Sequence, residues 1–198
     1  IPVPSHGVSY DWGTENVPGG VTLPASLEGL VPGRPYAVDT VYAAGYSVNE
    51  ADEYGNVTGT YTFSGWHIDG SAVSGERIMG DEDVAVTGSW RYEAREVAEH
   101  NVVYAWDLPE NTTYYSEDGA RLEPQPRIPA SLTGLVKGER YDVDSDYRAD
   151  ATVVYAVDEY GNVNGSYTFE GWKIDGSSAG GSVQMADADV TVAGKWVP

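Results

Sequence analysis

Residues 52–71 read DEYGNVTGTYTFSGWHIDGS, and residues 158–177 read DEYGNVNGSYTFEGWKIDGS. Sixteen of the twenty positions agree, so the chain is a duplication, and a fold read for one copy is read for both. Working outward, MGDEDVAVTGSW at 79–90 pairs with MADADVTVAGKW at 185–196. LPASLEGLVPGRPYAVD at 23–39 pairs with IPASLTGLVKGERYDVD at 128–144. Near the start, Val8, Tyr10 and Trp12 pair with Val102, Tyr104 and Trp106. These matches set a first repeat domain over 1–92, a short charged linker over 93–99 and a second repeat domain over 100–198. From Trp12 to Leu23 is 11 positions but from Trp106 to Ile128 is 22, so the second repeat carries an 11-residue insertion near 111–126.

The differences between copies report which side chains face inward. In 84–90, Val84, Val86, Gly88 and Trp90 are kept, whereas Ala85, Thr87 and Ser89 become Thr191, Ala193 and Lys195. A period of two, with one face kept and the other free, is that of a half-buried strand. Tyr61 and Phe63 share a face, and Gly65 predicts a bulge that returns Trp66 and Ile68 to it. Ser64 and His67 become Glu170 and Lys173, which places them outward. The expected core is Trp12, Tyr61, Phe63, Trp66, Val84, Val86 and Trp90 in the first copy. Its counterpart is Trp106, Tyr167, Phe169, Trp172, Val190, Val192 and Trp196 in the second. The segment PASLEGL at 24–30, with Pro at its start and Pro32–Gly33 after it, predicts a short helix. Residues 36–39 and 45–49 predict short strands, and 53–56 a turn. The expected fold class is α+β, mainly β: two tandem copies of a small antiparallel-sheet domain with one short helix, β-grasp-like.

Composition agrees with a packed, β-rich chain. Of 198 residues, 41% are hydrophobic and 12% aromatic, enough for two cores, and 24 glycines suit many turns. A net charge of −20 opposes both a phosphate backbone and an anionic membrane, so neither nucleic acid nor membrane is an expected partner. No apolar run approaches the roughly 20 residues of a spanning helix, and no signal-peptide or anchor pattern is read. With no cysteine, disulfides and thiolate chemistry are excluded.

YTFSGWHIDG followed by MGDEDVAVTGSW resembles a repeat of cell-wall-anchored surface proteins of Gram-positive bacteria. With the opening strand and the LPASLxGLVxGxxY segment, each copy resembles a SHIRT domain (streptococcal high-identity repeats in tandem). The Phe-x-Gly-Trp and terminal Gly-x-Trp are also similar to the internalin-type B repeat. The resemblance covers both copies and leaves out the linker and the insertion. It implies tandem structural modules in the stalk of an extracellular, wall-anchored adhesin, with neighbouring repeats of the same chain as partners and no catalytic residues. The divergence of the two copies and the insertion depart from the family pattern.

Asp52/Glu53, Asp81/Glu82/Asp83, Asp158/Glu159 and Asp187/Asp189 are surface-turn acids. They are not a facing pair across a cleft, which glycoside hydrolysis requires, so no enzyme is expected. Asp142, Asp144 and Asp146 open like an EF-hand loop, but Tyr147 stands for its glycine and Val153 for its closing glutamate. The recurrence of Asp81/Asp83 as Asp187/Asp189 suggests a side-chain cap on its own turn. His6, His67 and His100 have no zinc-ligand spacing, and no serine sits in a nucleophile motif. The lysines are Lys137, Lys173 and Lys195, so an isopeptide bond within the first copy is excluded. No cofactor or metal is expected. The insertion, with Tyr114 and Tyr115 ahead of a turn at Asp118–Gly119 and then Pro124 and Pro126, offers the one candidate ligand surface. Loop tyrosines can stack on a glycan or anchor a host protein. The competing expectation is a hairpin that packs its tyrosines on the adjacent sheet. The short linker and the charge near −9 on each copy lead to the expectation of an elongated pair.

Overall fold

The structure, a computed structural model, describes residues 2–110, 112–122 and 126–198. Two units emerge, Ile1–Val97 and Ala98–Pro198. In the first, the alternation of Val84, Val86, Gly88 and Trp90 builds its longest-range strand, and the other strands assemble around it. The strands are β1 (His6–Trp12), β2 (Leu27–Leu30), β3 (Pro35–Ala37), β4 (Ser47–Ala51), β5 (Val57–Ile68), β6 (Ser71–Val73), β7 (Glu76–Ile78) and β8 (Val84–Ala94). Their sheet runs β2-β1-β8-β5-β4, with β6 paired to the far end of β5, while β3 and β7 form a separate ribbon. β1 and β8 are parallel and in register, from Val8 beside Val84 to Trp12 beside Gly88. The other pairings of the unit are antiparallel.

The second unit repeats this plan. It contains β9 (Glu99–Trp106), β10 (Thr113–Ser116), β11 (Arg121–Leu122), β12 (Leu132–Val136), β13 (Arg140–Asp142), β14 (Val153–Val157), β15 (Val163–Ile174), β16 (Ser177–Ala179), β17 (Ser182–Gln184) and β18 (Val190–Val197). β9 and β18 are the parallel pair, from Val102 beside Val190 to Trp106 beside Gly194. The inserted β10 and β11 lengthen the sheet beyond β14, giving the order β11-β10-β14-β15-β18-β9-β12. Asn111 and Pro124, assigned to the insertion from sequence, lie outside the described residues.

Each core is a box of aromatic rings closed by the kept face of the last strand. Phe63, Val86 and Val8 are fully buried, with Trp66 and Trp90 nearly so. Trp12 stacks on Trp66 at 5.4 Å and 13°, and Phe63 meets Trp66 edge-on at 5.0 Å. Such pairs add about 0.5–1.5 kcal/mol each beyond their area. Trp106, Trp172 and Phe169 repeat the arrangement. The predicted bulge is present in both copies: the β5–β8 register shifts between Phe63 and Gly65, and Gly65 has φ 111°. Its counterpart lies between Phe169 and Gly171, with Gly171 at φ 124°. The sequence reading missed Tyr36 in β3, Val38 just after it and Met79 just after β7, all buried in the same core.

The expected fold class is overturned. No helix occurs among the described residues, so the fold is all-β rather than α+β. The predicted helix at 24–30 is instead β2, antiparallel to β1. Gly29 at φ 71° and its counterpart Gly134 at φ 74° hold left-handed backbone that a right-handed helix cannot include. Leu27 and Leu30 thereby both reach the core from an edge strand. The sheet is also mixed rather than antiparallel, because the first strand joins the last one side by side and in the same direction. The segment read as a linker is shorter in the structure. β8 runs to Ala94, Arg95 N–H still donates to the Thr58 carbonyl at 2.7 Å, and β9 begins at Glu99.

Candidate functional site

Two places carry side chains that the core does not require: the ends of the terminal strand pair, recurring in both units, and the inserted hairpin of the second. At the start of the terminal pair stands the recurrent aspartate before the last strand. Asp83 Oδ1 accepts the Gly7 N–H at 2.8 Å, and Asp189 Oδ1 accepts the Asn101 N–H at 2.7 Å. These carboxylates bind the first strand of their unit rather than capping their own turn, which corrects the sequence reading. A histidine sits beside each: His6 Nδ1 lies 3.6 Å from Asp83, and His100 Nδ1 lies 3.9 Å from Asp189. Asp187 is drawn in by Lys137 at 3.1 Å, whose hydrogen bond and charge hold its carboxyl below the ordinary carboxylate range. At the other end of the pair, Trp90 N–H donates to Thr14 Oγ1 at 3.2 Å, and Trp196 N–H donates to Asp107 Oδ1 at 2.7 Å. Gly13 N–H continues the ladder to the Gly88 carbonyl at 2.7 Å. The sequence held a signal for the aspartates in their recurrence, but not for Thr14 and Asp107, which occupy different positions.

In the insertion, β10 lies antiparallel to β14, with Tyr114 opposite Ala156 and Tyr115 opposite Tyr155. Successive strand residues point to opposite faces, which separates the two candidate tyrosines. Tyr114 is 0% exposed. Its hydroxyl donates to the Pro109 carbonyl at 2.9 Å, its ring meets Tyr167 at 6.1 Å, and burial pushes its phenol pKa up. Tyr114 is therefore a core residue, and its expected role in contacting a ligand from a loop is corrected. Tyr115 faces outward, half-buried, and lines a shallow hollow of about 380 Å³ with Tyr155, Val157, Val163, Ser116 and Glu117. The turn beyond it is tied by Ser116 Oγ donating to Asp118, a bond that lowers the Asp118 pKa. Tyr155 and Val157 were missed from sequence. The available signal was their replacement of Asn49 and Ala51 at matching outward positions.

The remaining acids serve turns. Asp52 Oδ1 accepts Tyr54 N–H at 2.9 Å and Asn56 N–H at 2.8 Å, and Asp158 does the same for Tyr160 and Asn162. Hydrogen bonds from Asn56 and Asn162 lower both carboxyl pKa values, the direction opposite to that of a general acid. Asp144 of the triple-aspartate run accepts the Tyr147 N–H at 3.3 Å, as Asp39 does for Tyr42 at 3.1 Å. Among the described residues no three His, Asp or Glu side chains converge on one point where they could hold a metal ion.

The SHIRT domain family model matches residues 4–93, nearly the whole first unit. Among solved structures, a pair described as "Streptococcal High Identity Repeats in Tandem (SHIRT) domains 3-4 from cell surface protein" aligns over 96% of this chain and 96% of its own. The two are 15% identical, with a TM-score of 0.37. No curated protein matches the chain.

Proposed function

We propose that the chain, whose first unit matches the SHIRT domain family model over residues 4–93 and whose second unit repeats the first, is a pair of spacer modules in the stalk of a bacterial surface adhesin. The observation that supports this most is the parallel terminal pair. The chain comes in at the start of β1 and leaves at the end of β8, and because those strands run the same way, the two points lie at opposite ends of the unit's sheet. A module of that kind adds its own length to the reach of the chain. Eleven residues of β8 at about 3.3 Å per residue span roughly 35 Å. The location that goes with this role is extracellular, on a Gram-positive cell surface, with wall anchoring supplied by other parts of a longer protein. The role needs no reaction, cofactor or metal. Net charge of −20 keeps such a surface solvated and repels anionic partners. To test it, the full chain is displayed on a cell wall with a tag at its outer end, and capture by a bulky probe is measured. Removing Ala98–Pro198 should lower capture; unchanged capture would contradict a spacer role.

A second reading is favoured by the hollow beside the insertion. There the second unit presents Tyr115, Tyr155 and Val157 outward with Ser116 and Glu117 at the rim, where the first has Asn49 and Ala51. Flat rings with adjacent acceptors suit a sugar or a protein side chain. Tyr115→Ala should abolish binding on a glycan or host-protein array without loss of fold. An array with no ligand for the parent chain would end this reading.

A further inference from the structure

Tension on a tandem chain reaches each unit only through its two ends. In the first unit these are the start of β1 and the end of β8; in the second, the start of β9 and the end of β18. The strands of each pair are parallel neighbours, so opposed pulls act along the strands in opposite directions. Such a pair must slide before it can separate. The ladder from Val8 beside Val84 to Trp12 beside Gly88 is then strained all at once, whereas an antiparallel pair with adjacent ends would open one bond at a time. Both ends of the ladder are lengthened by side chains. Asp83 and Asp189 hold the N–H groups of Gly7 and Asn101 ahead of the first register pair. Thr14 and Asp107 accept the N–H groups of Trp90 and Trp196 beyond the last. The ladder is also shielded from water on its inner face, where Val8, Val86, Val102 and Val192 are 0% exposed.

The geometry points to a mechanical function: each unit is a shear clamp that resists extension, and Asp83 and Asp189 are its latches. This goes beyond the spacer reading, because a spacer that opened under slight tension would still have its length at rest. It also explains why these two aspartates recur while Ala85, Thr87 and Ser89 beside them change. Different residues, Thr14 and Asp107, meet the same N–H at the far end, so the tie is retained even where the residue type is not.

Forced unfolding reads the barrier rather than the equilibrium, so the test is single-molecule pulling on the full chain. Held at its two termini, the chain should give two high-force events, one per unit. Since the chain has no cysteine, Val3→Cys with Glu82→Cys supplies unique handles. Both sites lie before the ladder, at the same end of the β1–β8 pair, so that pull unzips the pair. The force for the first unit should then be severalfold lower than end to end, with no contact removed from either strand. Asp83→Ala should lower one of the two end-to-end events and leave the other at its parental force. Asp83→Asn, which keeps an acceptor oxygen, should restore it. Equal forces in the two pulling geometries would overturn the clamp, and unchanged events in Asp83→Ala would overturn the latch. The spacer reading stands or falls separately, on display height.

Discussion

Gly88 shows how closely a single position is determined. It is buried in β8 beneath Trp66, and a Cβ added there would meet the Trp66 ring at 2.5 Å and the Phe63 ring at 2.9 Å. Gly194 has the same surroundings, with Trp172 at 2.6 Å. The absent side chain is what lets the indole lie flat across the strand. Gly88→Ala should therefore cost about 1–3 kcal/mol by overpacking, measured as a fall in urea midpoint; an unchanged midpoint would show that the box can relax. The kept face of 84–90 made Gly88 legible as an inward position in the sequence. Its partner was not legible, because which ring covers a glycine depends on register across strands that lie far apart in the chain. Gly29 misled for a related reason. Helix signals at 24–30 are local, whereas its φ of 71° follows from pairing β2 to β1.

At the scale of elements, the two units solve one packing problem in two ways. The Tyr61 ring in the first is covered by Tyr92 from the end of β8, with ring centroids 4.6 Å apart. The Tyr92 hydroxyl donates to Glu50 at 2.6 Å, a bond that raises its pKa. In the second, Tyr167 is covered by Tyr114 from the inserted β10, at the register position of Ala156, which stands where Glu50 does. The insertion was legible by length, but which tyrosine faces inward needed the register with β14. Tyr114→Ala should cost the second unit about 3–5 kcal/mol, read by thermal melting; a melt like that of the parent would return Tyr114 to the surface. The turns add a pH dependence. Asp52 and Asp158 have folded pKa values below the ordinary carboxylate range. Their contribution is thus fully present above the unfolded value of about 3.9 and is lost as pH falls through the folded value. Melting temperature should drop on acidification below that range, and the drop should shrink in Asp52→Ala with Asp158→Ala. An undiminished drop would assign the acid sensitivity elsewhere.

Over the whole molecule, the duplication was the most legible feature, since sixteen of twenty identical positions need no structure to interpret. What the duplication concealed was direction. A strand pattern states which face is buried but not whether its neighbour runs with it or against it, and the parallel pairing of first and last strands became visible only in three dimensions. Each core is built from residues of its own unit. Trp66→Ala should accordingly cost the first unit about 3–5 kcal/mol, and calorimetry should show its transition moved. A melt identical to the parent's would mean the box does not depend on that ring. The spacer role and the clamp both depend on the chain crossing each unit from one end to the other. The most direct test is a distance between spin labels at Ser5→Cys and Glu93→Cys in the full chain. Parallel β1 and β8 predict about 40 Å, three residues of chain before Val8 and nine of strand beyond its register partner Val84, at about 3.3 Å each. A separation under about 15 Å, as for a first and last strand running antiparallel with adjacent ends, would contradict the account.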